Sequence, residues 1–583
     1  MTTTKWTKEQ LAAIESRNCN LLVAAAAGAG KTAVLVERII RIITEPENPV
    51  DLDRLLVMTF TNAAAAEMRE RIAQAIARQL ESNPDNRNIR RQLTLLNKAH
   101  ITTIHSFCVD VIRSNFQSID LDPGFRISDQ TEAELLKSEV LAELFEELYA
   151  RDDPDQEFFN LLECYAGNRD DQRLQDMVLN LYNFAQSNPR PEAWLEEMAE
   201  NFLVPEGIDF GETLWGEVLL ETVELELQDM ESKMKEAVRL LKASAGLDKY
   251  LPLFQEEYEF IQSLNRLFTS AANSSCTRTS SCSRPSFYTA IPSWDRLPSW
   301  DQLYRLIHNF QFAKLPSAGK DCDKLVQERV KKIRDEVKQS FNKIKDNILL
   351  SPSDEIIRDL RSLHPLMNCL TGLVIEFGRR YARKKKDKSL LDFNDLEHYC
   401  LQILTEQGDM GEGQKDFIPS RIAHNYKQRF AQILVDEYQD SNLTQEIIIN
   451  MISREDLGEP NVFMVGDVKQ SIYRFRQARP ELFLEKYATY SPDEESKARK
   501  ILLSKNFRSR QEIIDIVNFI FEHLMSARVG EIEYTMEEFL NPGADYPAVD
   551  NEKFYAGGGI EFHLLETKDE LPADPEEEPG SMA

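Results

Sequence analysis

The stretch VAAAAGAGKTAVLVERII, Val23–Ile40, decides how the chain is read. It begins as an apolar strand, breaks at two glycines and continues with apolar residues at helical spacing. A phosphate-binding loop needs this strand–turn–helix order, because the glycines let successive backbone N–H groups converge on an anion at a helix N-terminus. The window Ala25-Ala-Ala-Gly28-Ala-Gly30-Lys31-Thr32 carries alanine where the G-x-x-x-x-G-K-[ST] pattern has its first glycine. Ala27, Gly28, Ala29 and Gly30 are the candidate backbone cradle. Lys31 is the candidate cation for the β- and γ-phosphates, and the Thr32 hydroxyl the candidate ligand for Mg2+. The plain alternative is an alanine-rich turn that happens to contain Gly-Lys.

A second stretch, ILVDEYQD (Ile433–Asp440), weighs against that alternative. An apolar strand ending in two acids supplies Asp436 to hold Mg2+ and Glu437 to polarise an attacking water. Parallel sheets gather their sites at the carboxyl ends of strands, so the two stretches belong together. VGDVKQSIYRFRQA adds Gln470 as a γ-phosphate sensor, and LSKNFRSR adds Arg508 as an arginine finger reaching in from a neighbouring domain. Taken singly, each of these two residues also fits a solvated helix start.

Outward from these stretches, NLLVAA, RLLVMTF and AHITTIH read as buried strands, with helices from Lys31, from Asn62 and from about Ser106. From about Ser128 to Asp387 the texture becomes long and amphipathic, as in TEAELLKSEVLAELFEELYA. Strands return at QILVDEYQD, NVFMVGDVKQ and KILLSKNFRS. The fold class is α/β: a parallel sheet that starts, pauses for a large helical insertion and resumes. The expected domains are 1–115, 116–390, 391–498 and 499–583. GGGIEFHLLETKDELPADPEEEPGSMA offers one more strand and an acidic tail of disordered composition. The Ser-rich segment with its Pro292 and Pro298 PSWD echo reads as an enlarged loop, too short a repeat for a solenoid.

The 583 residues carry 98 acidic against 69 basic side chains, a net charge of −29, so any nucleic-acid site must be a local basic groove. The 8 cysteines include no C-x-x-C pair, and the N-terminus has no apolar signal region. No apolar run approaches bilayer length. A cytoplasmic protein with no membrane partner is expected.

TKEQLAAI, AAAGAGKT, TFTNAAAAEMRERI, TIHSF, DFNDL, VDEYQD, GDVKQSIYRFRQARP and NFRSR stand in the order of superfamily-one DNA helicases of the UvrD/RecB type. The finer wording resembles the A subunits (AddA) of bacterial AddAB helicase–nucleases. The resemblance implies a RecA-like P-loop sheet with a helical insertion and the start of a second RecA-like lobe, using ATP and Mg2+. It implies that Gln10 reads the adenine edge and Phe507 stacks on the base. Thr59, Phe60, Asn62, His105 and Phe107 would line a single-strand path, with Phe393 near the DNA. Tyr473 and Phe475, beside Arg476, would be the base-stacking pair. Asp392 and Asp395 would be structural. The basic run RRYARKKKDK, Arg379–Lys388, is either a DNA-backbone contact or a solvated helix face.

By the same resemblance the whole machine moves 3′→5′ along single-stranded DNA, unwinds duplex ends for recombinational repair and pairs with an AddB-type subunit. The later motifs and the nuclease domain of such proteins have no counterpart after NFRSR, so the chain reads as an N-terminal portion without nuclease activity. Two rival readings are a stand-alone UvrD-type repair helicase and a truncated, non-catalytic fragment that binds DNA or a partner.

Overall fold

The computed structural model describes residues 6–151, 156–166, 170–271, 297–318, 322–407, 417–546 and 561–565. The first PSWD copy and the acidic tail lie outside the described residues. Of the last expected strand only Glu561–Leu565 is described, and it holds no strand.

Six apolar runs become strands β1 (Asn20–Ala25), β2 (Leu55–Thr59), β3 (His100–Thr103), β4 (Gln432–Asp436), β5 (Val462–Gly466) and β6 (Ala498–Leu503). They form one all-parallel sheet in the order β6-β1-β5-β4-β2-β3. Every residue of β2 and β5 is buried, which is why these strands read as unbroken apolar runs and not as alternation. Edge strand β6 alternates instead, with Arg499, Ile501 and Leu503 buried. The expected boundary after residue 498 falls inside this strand: Val23 lies opposite Ile501, so residues up to Leu503 belong to the same sheet as the phosphate-loop strand.

Helices α1 (Lys8–Glu15), α2 (Lys31–Thr44), α3 (Asn62–Ser82) and α4 (Ile104–Asn115) accompany the first three strands. Helix α2 buries Val34, Leu35, Ile39, Ile42 and Ile43, a helical spacing that turns one face to the sheet. Arg38 lies on that face, fully buried. Its Nε donates to Gln432 Oε1 at 3.1 Å and a second guanidinium N–H to the Ala13 carbonyl at 2.7 Å.

The chain forms two compact units, residues 1–112 with 402–583, and residues 113–401. The second unit is helical. Its larger core joins α6 (Leu214–Ala243), α7 (Leu251–Ala271) and α8 (Lys324–Lys343). A smaller core joins α5 (Gln130–Tyr149) to α9 (Ser353–Asp387). Within the larger core Arg334 is buried against Glu257, with Nε donating to Oε2 at 2.8 Å and a terminal nitrogen to the Ala313 carbonyl at 2.7 Å.

Much of the basic run at the end of α9 is an exposed helix face whose cations pair with acids of the same unit. Arg379 pairs with Glu192 at 2.8 Å, Arg380 with Glu376 at 2.7 Å and Glu147 at 2.8 Å. Lys384 pairs with Glu139 at 2.7 Å and Glu143 at 2.6 Å, and Lys386 with Asp120 at 3.0 Å. Lys385 is buried between Asp392 at 2.9 Å and Asp395 at 2.6 Å. Burial opposes its charge, but Asp395 and Asp392 outweigh that and hold the ammonium protonated. The acids of the unit itself consume these cations.

The resumed part of the first unit also carries α10 (Pro480–Thr489) and α11 (Gln511–Leu524). Among the described residues no helix is long and apolar enough to cross a membrane, and the described cysteines are free thiols.

Glu257→Ala strands the Arg334 guanidinium in the core, and urea melts should show a loss of about 3–5 kcal/mol. The joint change Glu257→Leu with Arg334→Met should cost far less; a double variant as unstable as the single one would refute this account of the pair.

Candidate active site

The carboxyl ends of β1, β4 and β5 lie side by side, with Ala24 opposite Gly466 and Asp436 opposite Val465. The loop leaving β1 is a tight turn, the Ala29 N–H donating to the Ala26 carbonyl at 3.1 Å. Gly28 and Gly30 adopt φ of 70° and 82°, the left-handed region that favours glycine. Gly30 caps α2 without any side-chain bond, so the N–H groups of the first turn remain available to an anion. Asn506 braces the loop, its Nδ2 donating to the Ala27 carbonyl at 2.9 Å, while its Oδ1 accepts the Arg508 and Ser509 N–H groups at 2.7 and 2.8 Å. The Arg508 side chain is exposed. Phe507 is half-buried, and its N–H donates to the Gly28 carbonyl at 2.9 Å.

Gln10 lies beneath the loop. Its amide is spent on the protein: Nε2 donates to the Ala29 carbonyl at 3.0 Å and Oε1 accepts the Thr7 N–H at 3.0 Å. The side chain is buried and buttresses the loop from beneath.

Asp436 closes β4, and Glu437 follows in the left-handed region at φ 52°, a conformation that costs a non-glycine residue roughly 1–2 kcal/mol. That turn brings Glu437 Oε2 to 3.0 Å from Lys31 Nζ. Gln439 Nε2 donates to the same oxygen at 2.9 Å, and Gln439 Oε1 accepts the Asp467 N–H at 3.0 Å. Gln470 Nε2 donates to Asp467 Oδ2 at 2.7 Å. Thr32, Asp436, Glu437, Gln439, Asp440 and Gln470 line one cleft of about 350 Å³.

Asp436, Glu437 and Asp440 crowd around the Lys31 ammonium, and their electrostatics show the shortfall. Burial, then the charge of Glu437, pushes Asp436 up to about 6. The same two causes push Asp440 up to about 6. Asp440 Oδ1 is buried with no hydrogen-bond partner. Crowded, desolvated oxygens beside a threonine hydroxyl suit a hard divalent cation. Among the described residues no three His, Cys, Asp or Glu side chains form a cage. Mg2+ needs none, since it commonly takes one or two carboxylates and completes its shell with substrate phosphates and water.

The far side of the cleft is aromatic. Phe60 stacks on Tyr473 with centroids 4.5 Å apart and planes inclined by 30°. The Arg476 guanidinium lies 5.9 Å from the Phe60 ring, 5.2 Å from Tyr473 and 5.6 Å from Phe475. Phe475 is 73% exposed and Ile472 70%, which packing does not explain. Asn62 is exposed at the start of α3, and His105 is half-buried.

Two residues of the expected strand path belong to the core. Phe107 is buried on the inner face of α4, against Tyr426 and Phe430 at 5.7 and 6.3 Å. Thr59 is buried at the end of β2, its hydroxyl donating to the Thr61 carbonyl at 3.1 Å. Neither presents a face to a ligand. Phe393, 55% exposed, lies in the helical unit. Gln439, Asp440, Asp467 and Asn506 were missed by the sequence reading. The first two sit inside the quoted DEYQD, where polar residues immediately after a buried strand were the available signal.

The UvrD/REP helicase N-terminal domain family matches residues 6–491. The chain is 56% identical to the A subunit of the ATP-dependent helicase/nuclease of Ruminiclostridium cellulolyticum, over 97% of its own length and 43% of that protein. It is equally similar, with the same coverage, to the corresponding protein of Acetivibrio thermocellus, and 46% identical to that of Clostridium acetobutylicum. The chain thus spans less than half the length of these curated relatives. With a phosphate-type loop, an acidic strand end and an exposed aromatic stack on one parallel sheet, and with this match over most of its length, the chain belongs to the UvrD/REP helicase family.

Proposed function

We propose that this chain is the ATP-hydrolysing portion of a 3′→5′ DNA translocase, the A subunit of an AddAB-type helicase–nuclease that works on duplex ends beside an AddB-type subunit. The observation that carries the reading is one cleft lined both by the hydrolytic residues Thr32, Asp436, Glu437 and Gln470 and by the stacked aromatics Phe60 and Tyr473. Chemistry and grip share a wall, as a motor requires. The similarity to proteins named as helicase/nuclease A subunits favours this over a stand-alone repair helicase. The all-parallel sheet with its phosphate loop after β1 supports a RecA-like lobe, followed from Lys505 by the beginning of a second.

On this reading the loop from Ala27 to Gly30 cradles the phosphates, and Lys31 leaves Glu437 for their negative charge. Glu437, held by Gln439, is then free to take a proton from the attacking water. Thr32 and Asp436 would hold Mg2+, which would supply positive charge against the phosphates. Gln470 faces the same cleft as sensor, and Arg508, tied to the loop through Asn506, supplies a further cation. Phe475 and Tyr473, bracketed by Arg476, stack on bases without reading their identity.

DNA-stimulated ATP hydrolysis by the full-length complex tests the site. Glu437→Gln should lower kcat by about 10²–10⁴-fold while nucleotide still binds. Lys31→Ala should abolish turnover; activity surviving either change would refute the site assignment. Tyr473→Ala should weaken single-strand binding by about 1–3 kcal/mol and blunt stimulation by DNA, sparing DNA-independent hydrolysis. Unchanged DNA affinity would remove the aromatic stack from the mechanism.

A further inference from the structure

Lys469 and Glu538 form a contact that the hydrolytic reading leaves unused. Lys469 is mostly buried between two carboxylates, Asp467 at 3.1 Å and Glu538 at 2.8 Å. Asp467 is the residue that holds the Gln470 amide, and its own backbone N–H is fastened to Gln439. Glu538 comes from a different part of the chain, beyond the residues that match the helicase family. Its second oxygen accepts the Tyr487 hydroxyl, so both carboxylate oxygens are engaged.

The segment that carries Glu538 is tied to the segment that carries Arg508. Lys505 and Asn506 pair in parallel with Asn541 and Pro542, and the Asn541 N–H donates to the Ser504 carbonyl at 2.8 Å. Asn518 of α11 accepts both the Tyr534 hydroxyl at 2.8 Å and the Leu540 N–H at 2.9 Å. Arg508 and Glu538 therefore sit on one connected piece, and a shift of that piece reaches Lys469. A second tie runs from Glu531 to Arg474 at 2.6 Å, on the loop that presents Tyr473 and Phe475.

Without Glu538 the Lys469 ammonium has only Asp467 left as partner among the contacts described. Lys469 holds Asp467 Oδ1 while Gln470 donates to Oδ2, so a Lys469 released from Glu538 shifts the carboxylate that aims Gln470. We propose that Glu538 is a positioning residue for ATP hydrolysis: by anchoring Lys469, which pairs with Asp467 Oδ1, it fixes the carboxylate whose Oδ2 aims Gln470, and so couples the placement of the Arg508 segment to the sensor. The inference rests on the hydrolytic reading of the cleft. It concerns geometry at the transition state and not nucleotide affinity, so it separates kcat from KM.

The test is steady-state, DNA-stimulated ATP hydrolysis by the full-length complex. Glu538→Gln should lower kcat about tenfold and move the KM for ATP less than about twofold. In a Gln470→Ala background the same change should cost nothing further, because both act through one contact. Tyr487→Phe, which removes one bond to Glu538 and no charge, should lower kcat about two- to threefold, and it decides the matter if Glu538→Gln proves unstable in a thermal melt. Wild-type kcat in both single variants overturns the proposal, as does a Glu538→Gln loss that multiplies with that of Gln470→Ala, the mark of a merely structural role. If the wild type shows no DNA-stimulated hydrolysis, or Lys31→Ala leaves it intact, the hydrolytic reading itself has failed. Activity lost in Lys31→Ala but not in Glu538→Gln or Tyr487→Phe defeats only this inference.

Discussion

Lys31 and Glu437 stand 406 positions apart in the chain and 3.0 Å apart in space. Nothing local brings them together. What does is the parallel register of the sheet, in which β5 lies between β1 and β4 and aligns their carboxyl ends. A parallel ladder collects loops at one edge, and a slip of one residue would turn the sheet faces over and scatter those loops. The whole site hangs on that alignment, and the large buried area of the strands fixes it.

Charge is the second constraint. The chain carries far more acid than base, and most of its dense basic run is neutralised by its own helices, as Arg379, Lys384 and Lys385 show. Against that background the cleft keeps an imbalance of its own: acidic groups outnumber cations, and Asp440 Oδ1 has no partner. Interiors do not tolerate such an excess without a counter-charge. On the proposed reading, an incoming phosphate would draw Lys31 away from Glu437 and a divalent cation would balance what remains.

Much of this was legible from residue order, because strands buried on both faces announce themselves as unbroken apolar runs. NLLVAA is β1 to the residue. Asp436, Glu437 and Gln470 were readable as polar residues just past such runs, and they do line one cleft. What the letters concealed was direction. Phe60 and Phe107 are both aromatics in quoted motifs, yet one stacks beside an opening and the other packs inside α4, a difference set by the facing helix. Gln10 likewise has the right chemistry for a ligand and spends it on Thr7 and Ala29. The Lys469–Glu538 contact joins segments 69 positions apart, with no local pattern to advertise it.

Two positions of the phosphate loop carry unequal weight. Ala25, where the pattern wants glycine, is the last residue of β1 and sits opposite Leu503 in ordinary strand conformation, so a methyl group fits. Gly28 is another matter. A Cβ there would stand 2.9 Å from both the Asn506 side-chain oxygen and the Arg508 Cβ. The bare Gly28 backbone acts as a hinge plate of no thickness, against which the arginine-bearing segment lies flush. Any side chain at Gly28 would act as a shim, holding the two parts of the site ajar with each part intact.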